Sequence, residues 1–170
     1  MKSSAKNSGY KPVVKATGLR WLWLVVIVLV IDRISKSLAL EYLPPYEPVS
    51  VVKFFNLALA YNTGAAFSFL GSASGWQVWL FGTIALSVSI GLLVWLSRLS
   101  SKQRWLCVAL AFVLGGAMGN LCDRLLYGHV IDFLQFYVGD WYWPTFNIAD
   151  SAVCVGAIML LLDAAFSRKK

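Results

Sequence analysis

The chain has 170 residues, 59% of them hydrophobic and 14% charged. Soluble domains are usually about 45–50% apolar and about 25% charged, and here the apolar excess is gathered in blocks, which points to a membrane. The net charge of +7 does not point to nucleic acid, because the basic residues stand in the tails and one short connection, where lipid head groups and insertion orientation account for them.

Residues 1–18 form a basic tail without acids, carrying Lys2, Lys6, Lys11 and Lys15, with Arg20 just beyond. It is expected to be disordered or surface-bound. The tail followed by Trp21–Ile31 is similar to the start of a secretory signal. Cleavage is not expected, since no small-residue site follows closely and three more apolar segments lie ahead. The first helix is predicted over about 19–43. Its Asp32 lies 11 residues past Trp21, about 16 Å deep at ~1.5 Å per residue. A charge at that depth costs roughly 2.5–3.5 kcal/mol. Asp32 and Lys36 stand at i and i+4, so a structural ion pair facing the bundle accounts for both.

Pro44, Pro45 and Pro48 end that helix. Val49–Tyr61 is then predicted to be extended, with Leu57, Leu59 and Tyr61 alternating with Asn56, Ala58 and Ala60, and is closed by the turn Asn62-Thr63-Gly64. With the apolar run Ala65–Leu70 it is expected to make a small sheet or hairpin on the membrane face, followed by the small-residue linker Gly71–Gly75. The second helix is predicted over about 76–99, the third over about 105–122 and the fourth over about 147–166. Gly115 and Gly119 form a G-x-x-x-G on the third, which most simply means close helix packing. The two long loops are 44–75 and 123–146. The second holds seven aromatic residues up to Thr145 and is expected to be an interfacial platform.

The fold expected is therefore an all-α membrane domain, a single domain over 1–170, with four transmembrane helices, a small extracytoplasmic β-element and an aromatic interfacial loop. The tails and the 98–104 connection hold eleven basic residues, while the two long loops hold only Lys53 and Arg124. The positive-inside rule then puts both termini in the cytoplasm and both long loops outside. Cys107, Cys122 and Cys154 lie in apolar segments at no metal-ligand spacing and are expected as buried small hydrophobes. A lone histidine, His129, rules out most zinc-protease sites, and no H-E-x-x-H occurs.

On this topology Asn120, Asp123, Arg124, Asp132, Asn147 and Asp150 gather near the outer interface, and ionisable groups at membrane depth are candidates for function. Each has a plainer explanation. Asn147 and Asp150 fit an N-cap and its N3 partner. Asp123 fits the wet end of the third helix, and Asp140 a solvated turn. Asp132 is harder to dismiss, between Ile131 and Phe133 in an apolar run. Two close carboxylates in a low-dielectric pocket share a proton, which supplies one general base and one general acid near neutral pH. Such a pair, Asp132 and Asp150, can activate water against a peptide carbonyl and protonate the departing nitrogen. Neither a metal nor a covalent intermediate is needed, and no cofactor is expected.

Four ordered motifs then carry a resemblance: Asp32-Arg33-Ile34-Ser35-Lys36, Asn62-Thr63-Gly64-Ala65-Ala66-Phe67, Gly115–Arg124 running into Val130-Ile131-Asp132-Phe133, and Phe146-Asn147-Ile148-Ala149-Asp150. With these, the chain after about Gly18 closely resembles the lipoprotein signal peptidase (signal peptidase II) family of bacterial aspartic membrane proteases. The resemblance implies Asp132 and Asp150 as the catalytic dyad. It also implies Asn62, Gly64, Asn120, Arg124 and Asn147 as residues that bind substrate or shape the site, and a structural role for Asp32 and Lys36. The implied substrate is a prolipoprotein whose cysteine bears a diacylglyceryl group, cut just before that cysteine. The implied setting is the bacterial inner membrane, with the site on the extracytoplasmic side, lipids as neighbours and the chain a monomer. Two other functions compete: a small transporter with Asp32 as its coupling carboxylate, and a lipid-binding scaffold without turnover. Turnover of a lipidated precursor, and whether Asp150 or Asp32 governs it, separates the three.

Overall fold

The computed structural model describes residues 16–64 and 75–167. Most of the predicted tail, the run Ala65–Leu70, the linker residues Gly71–Ser74 and the final Arg168-Lys169-Lys170 lie outside the described residues. The chain is mostly helical, with a small antiparallel sheet. A short 3-10 turn, Gly18–Trp21, leads into α1 (Leu22–Tyr42). One stripe of α1 is buried: Val25, Val28, Asp32, Lys36 and Ala39, spaced three and four apart as a helix facing its neighbours requires. α1 ends where Pro44 forbids the α conformation to the residue before it. Leu43 is accordingly extended, at φ −105 and ψ 132.

The run read as one extended stretch is a hairpin, β1 (Val49–Val52) and β2 (Phe55–Asn62). It turns at Lys53–Phe54, where Phe54 takes φ 74. No glycine or asparagine marks that turn, so the sequence concealed it. The strict alternation expected of β2 also fails. Ala58 and Leu59 are both buried, because the register slips between Leu57 and Ala60.

α2 (Trp76–Arg98) and α3 (Arg104–Tyr127) follow. α3 runs five residues beyond its predicted end, and Asp123 is not at a wet helix end but fully buried. It stops at Gly128, whose φ of 73 is the left-handed cap that favours glycine, with its N–H on the Arg124 carbonyl at 3.1 Å. The aromatic loop is not irregular either. It holds β3 (Val130–Val138) and the short β4 (Trp141–Tyr142), joined by a turn at Gly139 and Asp140. The sheet has the order β1-β2-β3-β4, with Asn62 opposite Val130 and Ala60 opposite Asp132. α4 (Ile148–Ser167) completes the chain.

α3 is the central helix, and its small residues let α1 and α4 close on it. A Cβ on Gly115 would stand 2.8 Å from Val28 Cβ, and one on Gly116 would collide with the Ala149 carbonyl. Among the described residues, three helices, α2, α3 and the Ile148–Phe166 stretch of α4, are long and apolar enough to cross a membrane. α2 turns Trp79, Ile84, Leu86, Ile90 and Trp95 outward, an apolar surface that water would not tolerate and lipid does. Cys107 is buried as expected, but Cys122 on α3 and Cys154 on α4 are exposed. There they are small hydrophobes in contact with the surroundings, not core.

Candidate active site

The first turn of α4 and the start of β3 meet at the end of α3, and each brings one acid. Asp150 arrives through a capping box: its backbone N–H donates to Asn147 Oδ1 at 2.9 Å, and Asn147 N–H donates back to Asp150 Oδ2 at 3.1 Å. Capping, weighed above as the plain alternative, is thus the device that aims this carboxylate. Asp132 is 1% exposed on β3. Its Oδ1 accepts from Asn147 Nδ2 at 2.7 Å and its Oδ2 from Asn62 Nδ2 at 3.0 Å. Asn120 Nδ2 donates to Asp150 Oδ1 at 2.6 Å, and Asn120 Oδ1 accepts from Asn147 Nδ2 at 3.1 Å. Asn147 therefore touches both acids and Asn120, and is wholly buried.

Asp132, Asp150, Asn62, Asn120 and Arg124 line one cavity of about 600 Å³. Its remaining wall is largely apolar, from Phe136 and Phe146 to Val153 and Val155 on α4. Gly64 is not on that wall. It is buried, accepts from Arg124 Nη2 at 3.0 Å through its carbonyl, and donates its N–H to Asn62 Oδ1 at 3.0 Å. Arg124 also donates to the Asn120 carbonyl at 3.2 Å and lies over the Phe81 ring. Removal from water, and next the Asp150 charge, push the Asp132 carboxyl up to about 7. A carboxyl with that proton affinity can hold or release a proton at neutral pH. Among the described residues, no group of three His, Cys, Asp or Glu is placed to hold a metal ion.

Behind the cavity lies a cluster that the sequence reading left half-seen. Lys36 Nζ is 2.8 Å from Asp32 Oδ2 and 2.8 Å from Asp123 Oδ2, with all three side chains buried. The pairing of Asp32 with Lys36 was expected; Asp123 was not expected to join it. A signal existed: Asp123 is four residues past Gly119 and seven past Gly116, on the same close-packed face of α3. Asp32 has both oxygens occupied, since its Oδ1 accepts from the Ala149 N–H at 2.9 Å. That saturation leaves it poorly suited to a coupling role in transport.

The sequence pattern of the family described as Signal peptidase (SPase) II matches residues 24–166. A lipoprotein signal peptidase of Photorhabdus laumondii is 52% identical over 157 residues, covering 92% of this chain and 93% of the relative. One from Pseudomonas aeruginosa is 54% identical over 153 residues, covering 89% and 90%. A solved structure described as a bacterial membrane enzyme superposes with a TM-score of 0.80 at 27% identity, covering 92% of this chain and 94% of its own.

Proposed function

The chain belongs to the signal peptidase II family of aspartic membrane peptidases, and from that premise we propose that Asp132 and Asp150 are the dyad with which it cuts lipid-modified prolipoproteins. The observation that carries this is that both carboxylates line one cavity and are joined by a single buried residue, Asn147, whose Nδ2 donates to Asp132 and whose backbone N–H donates to Asp150. Two acids so placed hold one proton between them. The ionised member takes a proton from water as that water attacks the scissile carbonyl, and the protonated member gives its proton to the leaving nitrogen. Asn62, Asn120 and Asn147 hold the carboxylates in register through N–H donors alone. Arg124, fixed to the Gly64 carbonyl, faces the substrate from the same wall.

The substrate is a precursor whose cysteine bears a diacylglyceryl group, cut just before that cysteine. The largely apolar cavity wall suits an apolar peptide and acyl chains, while the acids stand at its polar end. α1 serves as a fourth span: its apolar run from Leu22 to Ile31 is followed by Asp32 and Lys36, which neutralise each other inside the bundle instead of facing lipid. Both termini are cytoplasmic, the sheet and the dyad lie on the extracytoplasmic side of the inner membrane, and the protein acts as a monomer among lipids.

Incubation with a diacylglyceryl-modified precursor tests this directly. Wild type should release the signal peptide. Asp132→Asn and Asp150→Asn should each lose at least about 100-fold in rate, within the usual range for a general acid or base, while remaining folded and able to bind the precursor. Turnover persisting in either variant would remove the dyad from the mechanism. Binding without turnover by wild type would favour the scaffold.

A further inference from the structure

Lys36 is fully buried on α1, and an ammonium has three N–H donors and no acceptor. Each donor has a partner, and each partner leads to the dyad. Asp32, at 2.8 Å, accepts through its other oxygen the N–H of Ala149, the residue before Asp150. Asp123, also at 2.8 Å, accepts the N–H of Ile131, the residue before Asp132, at 3.2 Å. Asn120 Oδ1, at 3.2 Å, takes the third donor, and this settles which way the Asn120 amide points: its oxygen faces Lys36, so its Nδ2 faces Asp150.

We propose that Lys36 is the positioning residue of the dyad, a buried ammonium that ties α1, α3, β3 and α4 at the three points that set where the two acids stand. This rests on the dyad assigned above and goes beyond a structural ion pair. Charge neutralisation alone requires only that Lys36 lie near Asp32 and Asp123. It does not require that both carboxylates hold the peptide N–H immediately before a catalytic acid, nor that the third donor orient an amide touching one. The chemistry needs two carboxylates held at one separation across elements distant in sequence, and a shift of about 1 Å in such a site can cost about 100-fold in rate.

Removing Lys36 alone would leave Asp32 buried without an ion-pair partner and Asp123 with only the half-exposed Arg33, 3.6 Å away, so the test uses the triple variant Lys36→Met, Asp32→Asn, Asp123→Asn, which carries no buried charge in the cluster. Purified in detergent, it is assayed for folded fraction, KM and kcat on the diacylglyceryl-modified precursor, beside wild type and Asp132→Asn. The expected result is a kcat per folded molecule lower by at least about 100-fold, with KM within about threefold of wild type. A kcat per folded molecule within about threefold of wild type would overturn the proposal and leave Lys36 a structural charge. Should the triple variant not fold, Lys36→Arg decides on the same criteria: it keeps the charge but presents a planar fork on a longer arm. Positioning then predicts a loss of at least about tenfold in kcat, whereas neutralisation predicts near wild-type kcat. Full activity of Asp132→Asn would instead show that the dyad assignment itself is at fault.

Discussion

Asp132 shows how one residue's surroundings become a property of the whole protein. An unfolded aspartate titrates near its ordinary value of 3.8, whereas burial first, and Asp150 second, push the folded group up to about 7. Between those values the folded protein binds more protons than the unfolded chain, so this group's contribution to stability falls as pH rises. The contribution is fully present below about pH 4 and lost by the time pH passes about 7. Asp132→Asn cannot titrate, and its denaturation midpoint in detergent should fall less than that of wild type from pH 4 to pH 8. Equal slopes for the two proteins would contradict the raised proton affinity. The same residue also shows why a capping reading and a catalytic one need not exclude each other. Asn147 caps α4, and the side-chain nitrogen it has left over is what Asp132 binds.

At the scale of the element, α3 is built to be approached. Its glycines bring α4 so close that Gly116 has no room for a Cβ beside the Ala149 carbonyl, and a Cβ on Gly119 would stand 2.8 Å from Asp32 Oδ2. Gly116→Ala must therefore move the first turn of α4, the turn that carries Asp150. Overpacking of this kind costs about 1–3 kcal/mol. The expected outcome is a lower thermal midpoint together with a loss of turnover per folded molecule. Gly91, which has nothing within 4 Å of a built Cβ, is the control: Gly91→Ala should keep both. If Gly116→Ala matched Gly91→Ala in thermal midpoint and turnover, the close approach of α4 would not be needed.

For the molecule as a whole, the charge pattern sets the orientation and the fold sets what that orientation exposes. The β1–β2 turn at Lys53 and the α2–α3 connection at Lys102 are both exposed, and the topology proposed above puts them on opposite sides of the membrane. With Cys107, Cys122 and Cys154 replaced by serine, a membrane-impermeant thiol reagent added to intact spheroplasts should label Lys53→Cys and spare Lys102→Cys. The reverse pattern would invert the protein and put the dyad on the cytoplasmic face.

Much of this was legible before any fold. Blocks of apolar residues mark helices because lipid imposes a length and excludes charge, and Pro44 ends α1 because of a clash with its own neighbour. Those are local causes, carried by the sequence at the place where they act. The same holds for the capping box at Asn147, whose two partners are three residues apart. What stayed hidden was non-local. The Lys53–Phe54 turn uses no turn residue, and β2 pairs along its other edge with β3, some 70 residues away. The burial of Asp123 depends on Lys36 reaching it from another helix. An isolated acid belongs in water, and only packing supplies the ammonium that lets it be buried. Sequence alone thus determined which residues could hold a proton, bend the chain or cross a membrane. Tertiary structure decided which of them met, because the energy of a buried charge depends on its neighbours in space and not on its neighbours along the chain.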